Sequence, residues 1–422
     1  MYKRQGHIGG SLYNPNFNGS VTSNFLTING EGITNISGTL YADKTVVNLE
    51  KFEFDEEQGG HYMARAGMST VGDKRLFGTL QVTNGRVSNL LSLLGKPVDK
   101  LDGSLSGTVD LGGTYGNPSL NVVGSIKDVT IDTKVVGDAK IDASLENRKF
   151  KIRTLKLPVD DGLIAAGGTV DLDGDADLQI AVRDVDIEPF LPLIGDNINA
   201  TGSITGVINM TGATQNPKVE LSASLANGSY NGIDIDQGFV LATMENHVIN
   251  VQRIQGVKED YKLSAYGKIP LAALYTTGYL DANDSKAMDM TIDFNEADMA
   301  VIPLITPTVK DATGALKGVV HVTGTIDQPE AYGTVSVRNG TMKIKTVGNE
   351  LKNIDGDLIF SGQQADFQSR ISAGKGTAGL AAKVNWTGHT MTSYRAAIQL
   401  DGLDLANEYI SGPVSYTHLR AH

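Results

Sequence analysis

The sequence predicts an all-β protein: an elongated antiparallel β-sheet, curled so that its apolar face lines a trough or closes into a core, built from tandem repeats of roughly 100 residues with short helices between them. Three observations predict it. A signature spaced G-x-x-x-G-x-x-x-x-x-G-x-x-x-[NQ]-P returns along the chain. The segments that carry it alternate apolar and polar residues, which is the period of a strand with one buried face. Glycine is abundant, at 49 of 422 residues, while aromatic residues make up only 6%. Many strands joined by tight turns give such a composition.

The signature sets the register. The second copy has Gly103, Gly107, Gly113, Asn117 and Pro118. The third has Gly202, Gly206, Gly212, Asn216 and Pro217, and the fourth Gly314, Gly318, Gly324, Gln328 and Pro329. The first keeps Gly10, Asn14 and Pro15, with Arg4 where its preceding glycine is due. That break falls in an end that reads as non-native, as does the tail. The expected divisions are therefore 1–5, non-native; 6–102, 103–201, 202–313 and 314–413, the four repeats; and 414–422, non-native.

Each repeat opens on the alternating strand. Leu105, Gly107, Val109 and Leu111 share a face against Ser104, Ser106, Thr108 and Asp110. Ile204, Gly206, Ile208 and Met210 do the same in the third copy, and Leu316, Gly318, Val320 and Val322 in the fourth. The [NQ]-P pair then turns the chain, because proline fixes φ and holds the preceding residue extended. Asn227-Gly228, Asn231-Gly232 and Asn339-Gly340 read as further hairpin turns. A second pattern follows the first three prolines: Val47/Leu49/Phe52/Phe54, Phe150/Ile152/Leu155/Leu157 and Ile249/Val251/Ile254/Gly256, with a displaced match at Phe367. Two apolar pairs offset by three predict a strand with a bulge or a change of face midway. Short helical elbows are expected at 87–94, 187–194, 299–305 and 405–410, limited by Pro189, Pro192 and Pro303. About seven short strands and one helix per repeat, more than twenty strands in all, are expected.

Composition narrows the function classes. A net charge of −12 and the lack of a basic patch argue against nucleic acid. The absence of cysteine excludes disulfides, thiolate metal sites and a cysteine nucleophile. No apolar run is long enough to make a spanning helix.

The G-x-x-x-G strand, the G-x-x-x-[NQ]-P turn and the following strand with its Asn-Gly pair resemble the TamB and AsmA-like proteins of diderm bacteria, over nearly all of residues 6–413. The resemblance implies a taco-shaped β-sheet with a groove (a β-taco) that forms a periplasmic bridge, anchored to the inner membrane by an N-terminal helix not evident in this fragment. Its hydrophobic groove would shuttle phospholipid between the inner and outer membranes, support outer-membrane protein assembly, or both. The partners implied are phospholipid acyl chains and an outer-membrane β-barrel engaged through a missing C-terminal region. Groove-lining candidates are Leu105, Val109, Leu111, Ile204, Ile208, Met210, Leu316, Val320 and Val322. A self-packed interior is the alternative reading of the same positions. A surface or secreted β-repeat stalk is the rival function, disfavoured because β-helical coils have a much shorter period.

Catalysis and resident cofactors are not expected. Asp171, Asp173, Asp175 and Asp177 resemble the start of a calcium loop, but Val182 stands where the twelfth-position carboxylate belongs, so an acidic hairpin tip is expected. Gly374, Gly376 and Gly379 form a G-x-G-x-x-G string followed by strand-like sequence, not a helix. The histidines, His7, His61, His247, His321, His389, His418 and His422, show no ligand spacing with one another or with a carboxylate. Glu56-Glu57 and Asp160-Asp161 read as solvated charge beside turns.

Overall fold

A computed structural model describes residues 2–421 except 58, 94, 99, 195–198, 231–232, 260, 275–284, 306–307, 346–349, 374–375 and 407–410. The chain forms two compact units, Met1–Ile198 with Ile204–Pro217, and Asn199–Ser203 with Lys218–His422. The fold is all-β. Each unit is an open antiparallel sheet, in which each strand pairs mainly with its neighbours in sequence.

The first repeat comprises β1 (Tyr2–Gly10), β2 (Pro15–Ile28), β3 (Glu31–Ala42), β4 (Val46–Glu56), β5 (His61–Ser69) and β6 (Leu76–Arg86), then helix α1 (Val87–Leu93). The second comprises β7 (Leu101–Thr114), β8 (Asn117–Ile131), β9 (Lys134–Glu146), β10 (Lys149–Val159), β11 (Gly162–Asp171) and β12 (Asp175–Asp186), then a 3-10 turn and α2 (Leu191–Ile194). The third comprises β13 (Ala200–Ala213), β14 (Lys218–Tyr230), β15 (Ile233–Glu245), β16 (Val248–Lys258), β17 (Tyr261–Pro270) and β18 (Met288–Glu296), then a 3-10 turn (Met299–Val301) and α3 (Ile302–Ile305). A short β19 (Val309–Thr313) precedes the fourth: β20 (Leu316–Gly324), β21 (Pro329–Ile344), β22 (Leu351–Gly362), β23 (Gln364–Ala373), β24 (Gly376–Thr387), β25 (Thr390–Ala406) and β26 (Ser411–Ala421). Among the described residues, repeats one to three thus have six long strands each, not the expected seven or so short ones, because tight turns leave nearly every residue free to pair. No helix among the described residues is long and apolar enough to cross a membrane.

The signature glycine makes the hairpin possible. β7 and β8 pair through Gly113↔Pro118 and Thr114↔Asn117, leaving a two-residue turn. Gly113 has φ +77°, and a Cβ there would lie 2.4 Å from the Asn117 carbonyl oxygen. Gly10 and Gly324 repeat this at φ +83° and +79°, pairing with Pro15 and Pro329. Only glycine adopts that backbone without strain.

The predicted bulge is present where the two apolar pairs meet. The ladder slips between Leu49 and Phe52 in β4, Ile152 and Leu155 in β10, and Val251 and Ile254 in β16. In the fourth repeat, β23 runs unbroken against β24, and the slip lies in β22 between Lys352 and Asp355. Asn227-Gly228 and Asn339-Gly340 are corrected. They lie inside β14 and β21, with asparagine at φ +49° and +56°, and the ladder skips a residue there. The β21 ladder shifts register around Asn339-Gly340, a bulge, whereas the β14–β15 register runs past Asn227-Gly228 unshifted; asparagine tolerates the left-handed region, so neither pair ends its strand. Asn231-Gly232 lies outside the described residues, although Tyr230 and Ile233 on either side pair with each other.

Three elbows form as expected, each beside a carboxylate that accepts backbone N–H groups. Asp102 accepts from Ser88 at 3.3 Å, and Asp186 from Glu188 at 3.0 Å. Asp298 accepts from Ala300 at 2.8 Å and Gly314 at 2.7 Å. Such acceptors satisfy donors that a helix start leaves open. Of the fourth expected elbow, 407–410 lies outside the described residues and β25 continues through Ala406.

Candidate apolar ligand-binding site

Alternation along one strand says which side chains share a face; the ladder says which of them meet across strands. In the first unit, the register joins Gly38↔Phe52, Phe52↔Ala64, Ala64↔Leu80, Leu80↔Val109 and Val109↔Val122. A neighbouring row joins Ala66↔Gly78, Gly78↔Leu111, Leu111↔Leu120 and Leu120↔Leu145. Each row crosses strand after strand with an apolar side chain or a glycine at every step. Leu105, Val109 and Leu111 are half-buried, so these rows keep part of their surface open.

The second unit has its own row: Val240↔Ile254, Ile254↔Ala265, Ala265↔Ile292, Ile292↔Val320 and Val320↔Gly333. It is more deeply covered at its far end. Leu316 is 8% exposed and Val320 4%, both inside a cluster with Met299, Ala312, Val335 and Val337, and Val322 packs against that cluster. On β13, Ile204 and Met210 are half-buried and Ile208 is 36% exposed. The nine predicted positions therefore range from open to sealed. The sequence reading left out Phe52, Leu80, Val122, Ile254 and Ile292. Phe52 and Ile254 were signalled by the second apolar pattern; the others needed the register.

A hollow of about 310 Å³ lies against this row in the third repeat. Ile235, Ile254, Val257, Leu263, Ile292 and Val301 line it, with Asp234, Lys258 and Lys262 also in its wall. Lys262 pairs with Glu296 at 3.1 Å. Both carboxylate oxygens of Asp298, which is 2% exposed, accept from backbone amides, Ala300 in the elbow and Gly314 beyond β19. The apolar walls therefore carry no unmet polar demand from that acid.

The polar candidates resolve into structural roles. Glu56 is not solvated charge: it is 3% exposed and accepts from the Tyr62 hydroxyl, from the Arg86 amide at 3.0 Å and from Asn89 at 3.4 Å. Burial, with Glu56 as its acceptor, holds the Tyr62 phenol far above its usual pKa. The strand register brings His61 opposite Asp55, their side chains 2.6 Å apart, a carboxylate partner that sequence spacing hid. Hydrogen bonds from Asn35 and then His61 hold the Asp55 carboxyl below its usual range. Asp171 to Asp177 straddle the β11–β12 hairpin tip, where Arg148 pairs with Asp173 and lowers its pKa. Asp160, at φ +47°, and Asp161 are exposed at the β10–β11 turn. Gly374 lies outside the described residues, while Gly376 and Gly379 belong to β24.

The arrangement offers apolar contact along the paired rows, and comparison with family models, curated proteins and solved structures finds no match for this chain.

Proposed function

We propose that this chain is a stretch of a lipid-carrying bridge, in which acyl chains lie against the apolar rows while head groups stay in water. The observation that carries the reading is the unbroken succession of ladder-paired apolar residues, such as Phe52–Ala64–Leu80–Val109–Val122, left half-buried along an open sheet. An acyl chain gains roughly 0.8 kcal/mol for each CH₂ removed from water, so a chain of about 16 carbons would meet a barrier of roughly 12 kcal/mol without cover. A continuous apolar track removes most of that barrier. The resemblance to TamB and AsmA-like proteins supports reading it as a periplasmic bridge between inner and outer membranes, with phospholipid as cargo and outer-membrane protein assembly as a second role.

Site-specific photocrosslinking tests this, with the probe placed at Val109, Ile208 and Val320 in turn. Lipid adducts are expected at Val109 and Ile208, and none at the sealed Val320. Adducts at Val109 and Ile208 only to protein would overturn the reading.

A further inference from the structure

The third-repeat hollow has an identifiable cause in the sequence. The hairpin register places Phe54 opposite Tyr62 in the first repeat and Leu157 opposite Ile164 in the second. Both pairs fill space: Phe54 and Tyr62 stack at 4.6 Å, and Leu157 and Ile164 pack against a buried cluster. The corresponding pair in the third repeat is Gly256 opposite Leu263. A Cβ at Gly256 would meet nothing within 4 Å, and this glycine does not have a positive φ. Neither backbone geometry nor crowding demands glycine there. Its effect is to leave the hollow open.

Size and charge describe what would fill it. About 310 Å³ lies at the small end of the ~300–1,000 Å³ typical of ligand pockets, room for one alkyl chain and not for a two-chain lipid. Among the charged groups of its wall, Lys262 is engaged by Glu296 and Asp298 by backbone amides. Asp234 is exposed. Lys258 is half-buried and forms no ion pair among the described residues. A half-buried ammonium with no carboxylate partner among the described residues favours an anionic ligand more than an exposed carboxylate favours a cationic one.

We propose that the third repeat holds a discrete site for a single alkyl chain with a carboxylate head, the fatty-acid class, with the chain in the Gly256 hollow and the head group at Lys258. The site deepens the lipid-carrying reading and rests on it for the class of occupant.

Calorimetric titration of the full chain with dodecanoate, dodecanol and dodecyltrimethylammonium tests the site. The wild type should bind one dodecanoate. Gly256→Leu should weaken that binding at least about tenfold while raising Tm, because the leucine occupies the hollow. Ala265→Leu, on the adjoining strand, is a second filling variant should the first fold poorly. Lys258→Gln should weaken dodecanoate several-fold and leave dodecanol unchanged. Unaltered dodecanoate affinity in Gly256→Leu, equal affinity for dodecyltrimethylammonium, or no binding by the wild type would each overturn the site. Lipid crosslinking at Val109 in the Gly256→Leu background reports on the track separately: if it persists while dodecanoate fails to bind, the site is wrong and the bridge stands.

Discussion

The opening strands of the second and fourth repeats share one signature and one alternation, yet their apolar faces have different fates. Leu105 and Val109 are half-buried, whereas their counterparts Leu316 and Val320 are 8% and 4% exposed. The cover in the fourth repeat is local. β19 pairs with the far end of β21, through Val309↔Ile344 and Thr313↔Thr341, and adds Val309 and Ala312 to the cluster beside Met299 of the elbow. In the second repeat the buried cluster of Val129, Ile131, Val136, Ala139, Val159 and Val185 does not include the Leu105–Leu111 stripe. Periodicity decides which way a side chain points. Whether anything closes over it depends on what the next element brings.

Four experiments break or sharpen that contrast. Leu316→Ala should cost about 2–5 kcal/mol by urea unfolding, the range for a core leucine, and Leu105→Ala about 1 kcal/mol. Equal losses would abolish the distinction between open and sealed faces. Tyr62→Phe probes a polar seal found in the first repeat: it takes a donor from the buried Glu56 and should cost about 1–3 kcal/mol in the same assay. A neutral result would show that water reaches Glu56 and that this end is open too. Gly113→Ala and Gly324→Ala should each cost about 1–2 kcal/mol, since both residues turn at positive φ. Here the two repeats should match, because they differ in cover and not in the turn; a several-fold disparity would mean the turns are not equivalent.

The smallest effect is acid-dependent and indifferent to cover. Hydrogen bonds from the Thr45 side chain and amide, and from the Tyr41 hydroxyl, hold the Asp43 carboxyl down to about 2. A depressed folded pKa stabilises the protein above the unfolded value, near 3.9, and that contribution fades as pH falls toward about 2. Between those limits the urea midpoint of Asp43→Asn should fall less than that of the wild type. Parallel decline in both would remove Asp43 as a contributor.

Much of the fold was legible because the repeat wrote it several times. The glycine before the [NQ]-P turn, the alternation on β7, β13 and β20, and the slip between Ile152 and Leu155 are local consequences of dihedral and side-chain geometry. Asn227-Gly228 and Asn339-Gly340 misled because a left-handed asparagine can sit inside a strand as well as in a turn, and the choice between them is made by the neighbouring strand. Glu56 was misread for a similar reason: its partners Arg86 and Asn89 are some thirty residues away. The site was legible as a stripe and not as a track, since joining Leu80 to Val109 to Val122 requires the register. Gly256 stood in plain view as the one member of its pattern without a side chain, but its meaning as a hollow appears only once Leu263 lies opposite.

The meander has a consequence for how the molecule is made. Most ladders join strands adjacent in the chain, through turns as short as the two residues between β7 and β8 or between Val159 and Gly162. Closing such short loops costs little entropy, and each hairpin adds to an edge already formed. Folding can then proceed like a zipper, keeping pace with a chain that emerges from one end, without waiting for distant segments to meet. For a long β-rich chain, that leaves a single growing edge exposed at a time.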